Sequence, residues 1–175
     1  PLARPWGPRG MILWGVTGWK NSGKTTLVEG ILRALTARGL RVSTLKRSHH
    51  GFDVDQPGRD SHRHREAGAS EVLVASGTRW ALMAELRGAD EPTREDLVAR
   101  LSPCDVVLAE GWKRLPHAKI EAWRPETGQP PFAMESETVK AGVTPGARPS
   151  GADRPHLELD APEAVAGCLL GAGAG

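Results

Sequence analysis

The sequence predicts an α/β fold with a mostly parallel central sheet, and three observations carry the prediction. A short apolar run, Met11-Ile12-Leu13-Trp14-Gly15-Val16, suits a buried strand. It leads into a glycine loop, Gly18-Trp19-Lys20-Asn21-Ser22-Gly23-Lys24-Thr25-Thr26. Leu27, Val28, Ile31, Leu32 and Leu35 then recur at helical spacing as far as Gly39, where a helix stops. A second strand at residues 40–46 completes a strand, helix, strand unit, which implies a right-handed parallel crossover.

The loop reads G-x-x-x-x-G-K-T, the phosphate-cradling pattern of P-loop proteins, and it sharpens the fold class to a P-loop NTPase-type three-layer sandwich. The spacing has a physical cause. Glycines let the backbone curl so that several N–H groups converge on one anion. Gly18, Asn21, Ser22, Gly23, Lys24, Thr25 and Thr26 are the expected nucleotide-binding residues. Lys24 supplies a mobile charge to the β- and γ-phosphates, and the Thr25 hydroxyl is suited to Mg²⁺. A helix opening near Thr25 aims its positive end at the same phosphates.

Further along, residues 47–60 form a polar connection ending in Pro57-Gly58, longer than a compact αβ unit needs and so expected to be functional. Asp60 or Ser61 is the expected N-cap of a short helix through Ala67. Strands are expected at residues 71–75, 79–86, 105–111, 119–123 and 138–143, the last of them closing the strand count. Thr93-Arg94-Glu95-Asp96 resembles a capping box opening a helix to about Leu101. Residues 125–131 read as loop and 144–151 as a Pro/Gly-rich stretch. Asp160-Ala161-Pro162 opens a final helix with Val165, Cys168 and Leu169 facing the core.

Composition bounds the function. The 175 residues are 39% hydrophobic and 25% charged, enough to bury a core without disulfides or a structural metal. The net charge of +2 gives no global call for nucleic acid or an anionic membrane. Cys104 and Cys168 stand in separate apolar surroundings and read as small hydrophobes, which fits a reducing cytoplasm. No apolar run approaches membrane-spanning length, and no signal peptide is recognised. Residues 1–10 read as a flexible leader, with Met11 as an alternative start, and residues 11–175 as a single nucleotide-binding domain.

Glu110 ends the apolar run Val106-Val107-Leu108-Ala109, where an acid approaches the Mg²⁺ shell of a P-loop site, so Glu110 joins Lys24 as a catalytic candidate and Thr25 as a metal candidate. His49, His50, Asp53, Asp55 and Asp60 form a candidate functional loop, whose acids could bind Mg²⁺ or position water. A zinc site from His49, His50, His62 and His64 lacks cysteine partners and ligand spacing. Arg59, Arg63 and Arg65 are either an anion-binding face or a solvated helix surface. Trp112 either belongs to the core or covers the nucleotide cleft, and the remaining tryptophans read as packing residues.

Four segments together resemble a known family. They are residues 18–26; Lys46-Arg47-Ser48-His49-His50 with Asp53-Val54-Asp55-Gln56-Pro57-Gly58-Arg59-Asp60-Ser61; Val74-Ala75-Ser76 with Arg79-Trp80-Ala81-Leu82-Met83; and Glu110-Gly111-Trp112-Lys113. The chain resembles the molybdopterin-guanine dinucleotide biosynthesis protein B family over about residues 11–123. The resemblance implies a homodimer that binds GTP with Mg²⁺, hydrolyses it slowly and assists a guanylyltransferase joining GMP to molybdopterin. It also implies phosphate contacts from residues 18–26, Mg²⁺ near Thr25 and Glu110, and a substrate- or nucleotide-facing loop around residues 53–60. The family usually carries phenylalanine where this chain has Trp112. No Asn-Lys-x-Asp guanine-reading motif is present, so the choice of GTP rests on the resemblance. Trp19 stands where related dimeric ATPases carry a lysine that acts across the dimer.

The leading expectation is therefore a GTP-binding accessory protein with weak hydrolysis, since no glutamine or arginine finger is assignable. The alternatives are a P-loop small-molecule kinase, and an interaction protein with a vestigial nucleotide site.

Overall fold

The structure, a computed structural model, describes residues 10–48, 51–146, 149 and 153–171. Residues 1–9 of the expected leader, His49, His50 and part of the 144–151 stretch lie outside these residues. The chain divides into two compact units, one formed by Pro1–Arg47 with Leu97–Gly175 and the other by Ser48–Asp96.

The first unit is built on a six-stranded sheet. Its strands are β1 (Ile12–Thr17), β2 (Val42–Lys46), β5 (Val106–Glu110), β6 (Lys119–Ala122), β7 (Val139–Thr144) and β8 (His156–Glu158), in spatial order β2-β5-β1-β6-β7-β8. Every pairing is parallel. The central strands β1 and β5 are almost wholly apolar because both their faces are covered. Alternation splits them between two cores. Trp14, Val16, Val106 and Leu108 face one, with Leu27, Ile31 and Leu35 of helix α1 (Lys24–Ala37) and Val165 and Leu169 of helix α4 (Pro162–Gly171). Leu13, Val107 and Ala109 face the other, packed by Met11, Leu45, Val98, Leu101, Cys104 and Trp112.

Trp14 is fully buried and its indole N–H donates to the Leu169 carbonyl at 3.2 Å, tying the first strand to the last helix. Trp112, partly buried, packs against the second core. Both cysteines are free and half-buried, and burial pushes the Cys168 thiol up.

The second unit holds helix α2 (Asp60–Glu66) and an antiparallel hairpin of β3 (Glu71–Ala75) with β4 (Trp80–Ala84). The helix boundary corrects one expectation. Arg59, in extended conformation, is the N-cap, Asp60 is already the first helical residue, and no side chain caps the helix. Trp80 corrects another, being 63% exposed on the hairpin instead of packed. Helix α3 (Arg94–Ala99) starts as expected: Thr93 accepts the Asp96 N–H at 3.1 Å and Asp96 accepts the Thr93 N–H at 2.9 Å, a reciprocal cap. Strand β8 was not expected; three residues are too few to show a period.

Candidate functional site

The candidate site sits at the carboxyl ends of β1, β5 and β6, where an open parallel sheet receives ligands. The loop leaving β1 makes its turn through Gly18, Asn21 and Gly23, all with positive φ. A Cβ on Gly18 would collide with the Ala122 carbonyl oxygen of β6 and with the Ser22 hydroxyl, so only glycine fits between β1 and β6 here. Gly23, at φ 96°, is the N-cap of α1 and offers no side-chain oxygen to the first-turn amides. Those N–H groups keep their donor capacity for an anion. The Ser22 hydroxyl is buried within the loop, without a hydrogen-bond partner among the described residues. Thr25 and Thr26 are exposed on the first turn.

Cations collect around this loop. Lys24 donates from its ammonium to the Trp19 carbonyl at 2.7 Å. Glu110, in register with Val16 of β1 and Lys46 of β2, brings its carboxylate within 3.8 Å of the Lys46 ammonium. Burial holds Lys24 below the ordinary lysine value; the Glu110 charge opposes the shift, and the charges of Lys46 and Lys113 add to it. Lys113 is held 3.8 Å from the Trp19 ring centroid and 4.1 Å from that of Phe132, a cation over two aromatic faces.

Sequence reasoning missed the wall on the β6 side. The Trp19 indole donates to the Pro130 carbonyl at 2.9 Å, and the Trp123 indole to the Gln129 carbonyl at 2.8 Å. Glu121, 1% exposed, accepts the Phe132 and Ala133 N–H groups on its two oxygens, each at 2.7 Å. Residues 129–133 are thereby held from the phosphate loop and from β6. Burial raises the Glu121 carboxyl above the usual range, with the two N–H donors and Lys113 opposing. Lys119 is buried as well, donating to the carbonyls of Leu115 and His117 and to the Thr138 hydroxyl. A strand that alternates Lys119-Ile120-Glu121 has the pattern of one solvated face, so nothing in it signalled buried charges.

In the second unit, Arg65 gathers the acids of the predicted functional loop. It lies 2.8 Å from Asp53, 3.4 Å from Asp55 and 2.8 Å from Glu85. Asp55 also accepts the Ser61 hydroxyl at 2.8 Å. The Arg65 hydrogen bond, followed by the Asp55 N–H, holds the Asp53 carboxyl below its usual range. Asp60 opens α2. Among the described residues no cluster of three histidine, cysteine or acidic side chains could hold a metal ion; His49 and His50 of the zinc arrangement lie outside those residues. Mg²⁺ makes a smaller demand, one or two protein oxygens completed by phosphate and water. The Thr25 hydroxyl and the Glu110 carboxylate have that hard-oxygen chemistry.

Comparisons with known proteins bear on the family and the fold. The sequence model of molybdopterin guanine dinucleotide synthesis protein B matches residues 13–145. The molybdopterin-guanine dinucleotide biosynthesis adapter protein of Escherichia coli is 42% identical over 121 residues, 68% of this chain and 69% of that protein. The protein of the same name from Haemophilus influenzae is 44% identical over 121 residues, covering 67% and 66%. Among solved structures, a molybdopterin-guanine biosynthesis protein B superposes with a TM-score of 0.71 at 25% identity, over 91% of this chain and 99% of that one. Bacillus subtilis MobB gives 0.69 at 26% identity, over 91% and 96%. Among the described residues no helix is long and apolar enough to cross a membrane.

Proposed function

The chain belongs to the molybdopterin guanine dinucleotide synthesis protein B family, and from that premise we propose that it is a cytoplasmic GTP-binding adapter protein that assists attachment of GMP to molybdopterin. Its nucleotide is held with Mg²⁺ and hydrolysed slowly. The observation that carries the reading is the uncapped start of α1 behind Gly23, with the Lys24 ammonium folded over the same loop.

In this reading the first-turn amides and Lys24 bind the β- and γ-phosphates, while Thr25 and Glu110 hold Mg²⁺. Bound by these two residues, Mg²⁺ would neutralise charge on the phosphate oxygens. Lys46 and Lys113 add positive potential beside Lys24, and Lys113 is kept in place by the rings of Trp19 and Phe132. Catalysis is then positioning and charge stabilisation, with no side chain assigned to orient the attacking water. Slow turnover follows.

A guanylyltransferase of the same pathway, molybdopterin or the molybdenum cofactor, and a second copy of this chain are the partners in this reading. The hairpin supports the second copy: Leu73 and Leu82 are register partners, both exposed, and Trp80 is exposed beside them. The kinase alternative loses ground because Arg65, one arginine available for an anion-binding lid, is committed to Asp53, Asp55 and Glu85.

Titration of the purified protein with GTP and ATP, with and without Mg²⁺, together with phosphate release in the absence of any acceptor, tests the reading. Mg²⁺-dependent GTP binding with slow phosphate release is expected. Rapid transfer to a small hydroxyl compound, or no nucleotide binding, would overturn it.

A further inference from the structure

We infer that Arg124 reads the guanine base, in place of the Asn-Lys-x-Asp motif that this chain lacks. The inference deepens the proposed function and rests on it.

Arg124 lies two residues past the end of β6, and β6 borders β1 on the side opposite β5 and Glu110. The Ala122 carbonyl sits against Gly18, and the Trp123 N–H donates to the Val143 carbonyl at 3.0 Å, which fixes the backbone entering Arg124. The side chain then turns onto the phosphate loop. A Cβ built on Gly23 would lie 3.1 Å from Arg124 Nε and 3.3 Å from a terminal nitrogen, with Leu159 beyond. The guanidinium thus runs along the residue that caps α1.

Among the described residues no acceptor uses it there. Arg124 Nε is buried with no hydrogen-bond partner, and no carboxylate among the described residues forms an ion pair with Arg124. A buried donor left unmade is costly, and an arginine cannot lose its proton to escape the cost. A ligand acceptor next to Gly23 removes it.

Direction selects the acceptor. With the terminal phosphates and metal drawn to Glu110, on the β5 side of β1, the nucleoside end of the ligand would leave the loop toward β6. Guanine presents O6 and N7 side by side, two acceptors that match a donor-only planar fork. Adenine sets an amino donor where guanine has O6, so the same guanidinium meets a donor with a donor. One arginine beside Gly23 therefore supplies both affinity for guanine and rejection of adenine.

The test measures dissociation constants for GTP, ITP and ATP with the full chain and with Arg124→Met and Arg124→Lys, folding being checked by circular dichroism. The parent is expected to bind GTP and ITP alike, since hypoxanthine keeps O6 and N7, and ATP more weakly. Both variants are expected to lose about ten- to a hundredfold in GTP and ITP affinity with ATP little changed, the range of one bidentate arginine–guanine contact. Equal losses for all three nucleotides would make Arg124 a phosphate contact and overturn the inference, as would unchanged affinities or full rescue by lysine. A parent that binds GTP and ATP equally overturns it without touching the proposed function, and needs no variant to fold. A parent that binds no nucleotide overturns both.

Discussion

The Lys24 ammonium donates to the Trp19 carbonyl at 2.7 Å, so the lysine of the phosphate loop is folded back across the loop that carries it. Half-buried and close to Lys46 and Lys113, it gains from an anion what it now takes from one carbonyl. Lys24→Ala removes a charge-assisted contact worth about 1.5–3 kcal/mol, and GTP affinity is expected to fall about ten- to a hundredfold. The side chain contributes nothing to either core, so the melting temperature is expected to stay within a few degrees. Unchanged affinity in calorimetric titration would remove Lys24 from the site.

Thr25 and Glu110 separate metal from phosphate. Thr25→Ala is expected to weaken GTP binding with Mg²⁺ more than binding without it. Glu110→Gln leaves the strand end in place but removes the carboxylate charge 3.8 Å from Lys46. Hydrolysis is expected to slow further with a smaller change in affinity, read from single-turnover phosphate release. Equal rates for the parent and Glu110→Gln would withdraw Glu110 from the metal shell.

Glu121 yields a pH dependence with a definite sign. Burial raises its carboxyl above 4.5 in the folded chain, so the fold favours the protonated form. Its contribution to stability is full below the unfolded value and declines as pH rises through the raised one. Glu121→Gln keeps one acceptor and turns an amide donor toward the second N–H of the Phe132 and Ala133 pair. A loss of about 1–3 kcal/mol is expected from the donor left unpaired. Denaturant melts across the acid range should show the gap to the parent largest at low pH and narrowing upward. A gap that widens with pH would contradict the assignment.

How much of this was legible in the sequence depends on the distance over which each feature is encoded. The strand, loop and helix around Lys24 lie in one contiguous stretch, so period and spacing sufficed. The Thr93 and Asp96 cap was legible for the same reason. Glu110 was singled out because an acid ended an otherwise apolar strand, and the structure places it at the end of β5 beside Lys46. Glu121 was not, since its partners Phe132 and Ala133 are more than ten residues away and an alternating strand reads as half solvated. Arg124 escaped notice because its relation to Gly23 arises only when β6 is laid beside β1. Strands were legible at residues 71–75 and 79–86, the second of which is shorter in the structure (Trp80–Ala84), but no local pattern said that they pair with each other outside the main sheet.

Arg65 is expected to hold the predicted functional loop. Its guanidinium meets Asp53, Asp55 and Glu85, and Asp53 is held below the usual carboxylate range by it. That contribution is present above the ordinary aspartate value and lost as pH falls through the lowered one. Arg65→Met is expected to speed amide hydrogen exchange over residues 53–61 while leaving GTP affinity within a few-fold. Exchange unchanged at those amides would show that the ion pairs do not order the segment.

The hairpin bears on self-association. Leu73 and Leu82 face each other across β3 and β4, Trp80 stands opposite Ala75 two residues along, and all three large side chains are exposed. Replacing one of them with a charge leaves the strand pairing intact, because the side chains make no core contact, yet makes the same face costly to cover. In the proposed homodimer, Trp80→Lys is therefore expected to shift sedimentation toward the monomer, with the melting profile of the monomer preserved and GTP affinity unchanged. Leu73→Asp serves as a second probe at the paired position, where the carboxylate meets Leu82 across the strands. If both variants sediment as the parent does, the copies associate through another surface; if the parent itself is a monomer at all concentrations, the hairpin is left for the guanylyltransferase partner, and titrating that enzyme with the two variants becomes the measurement that decides.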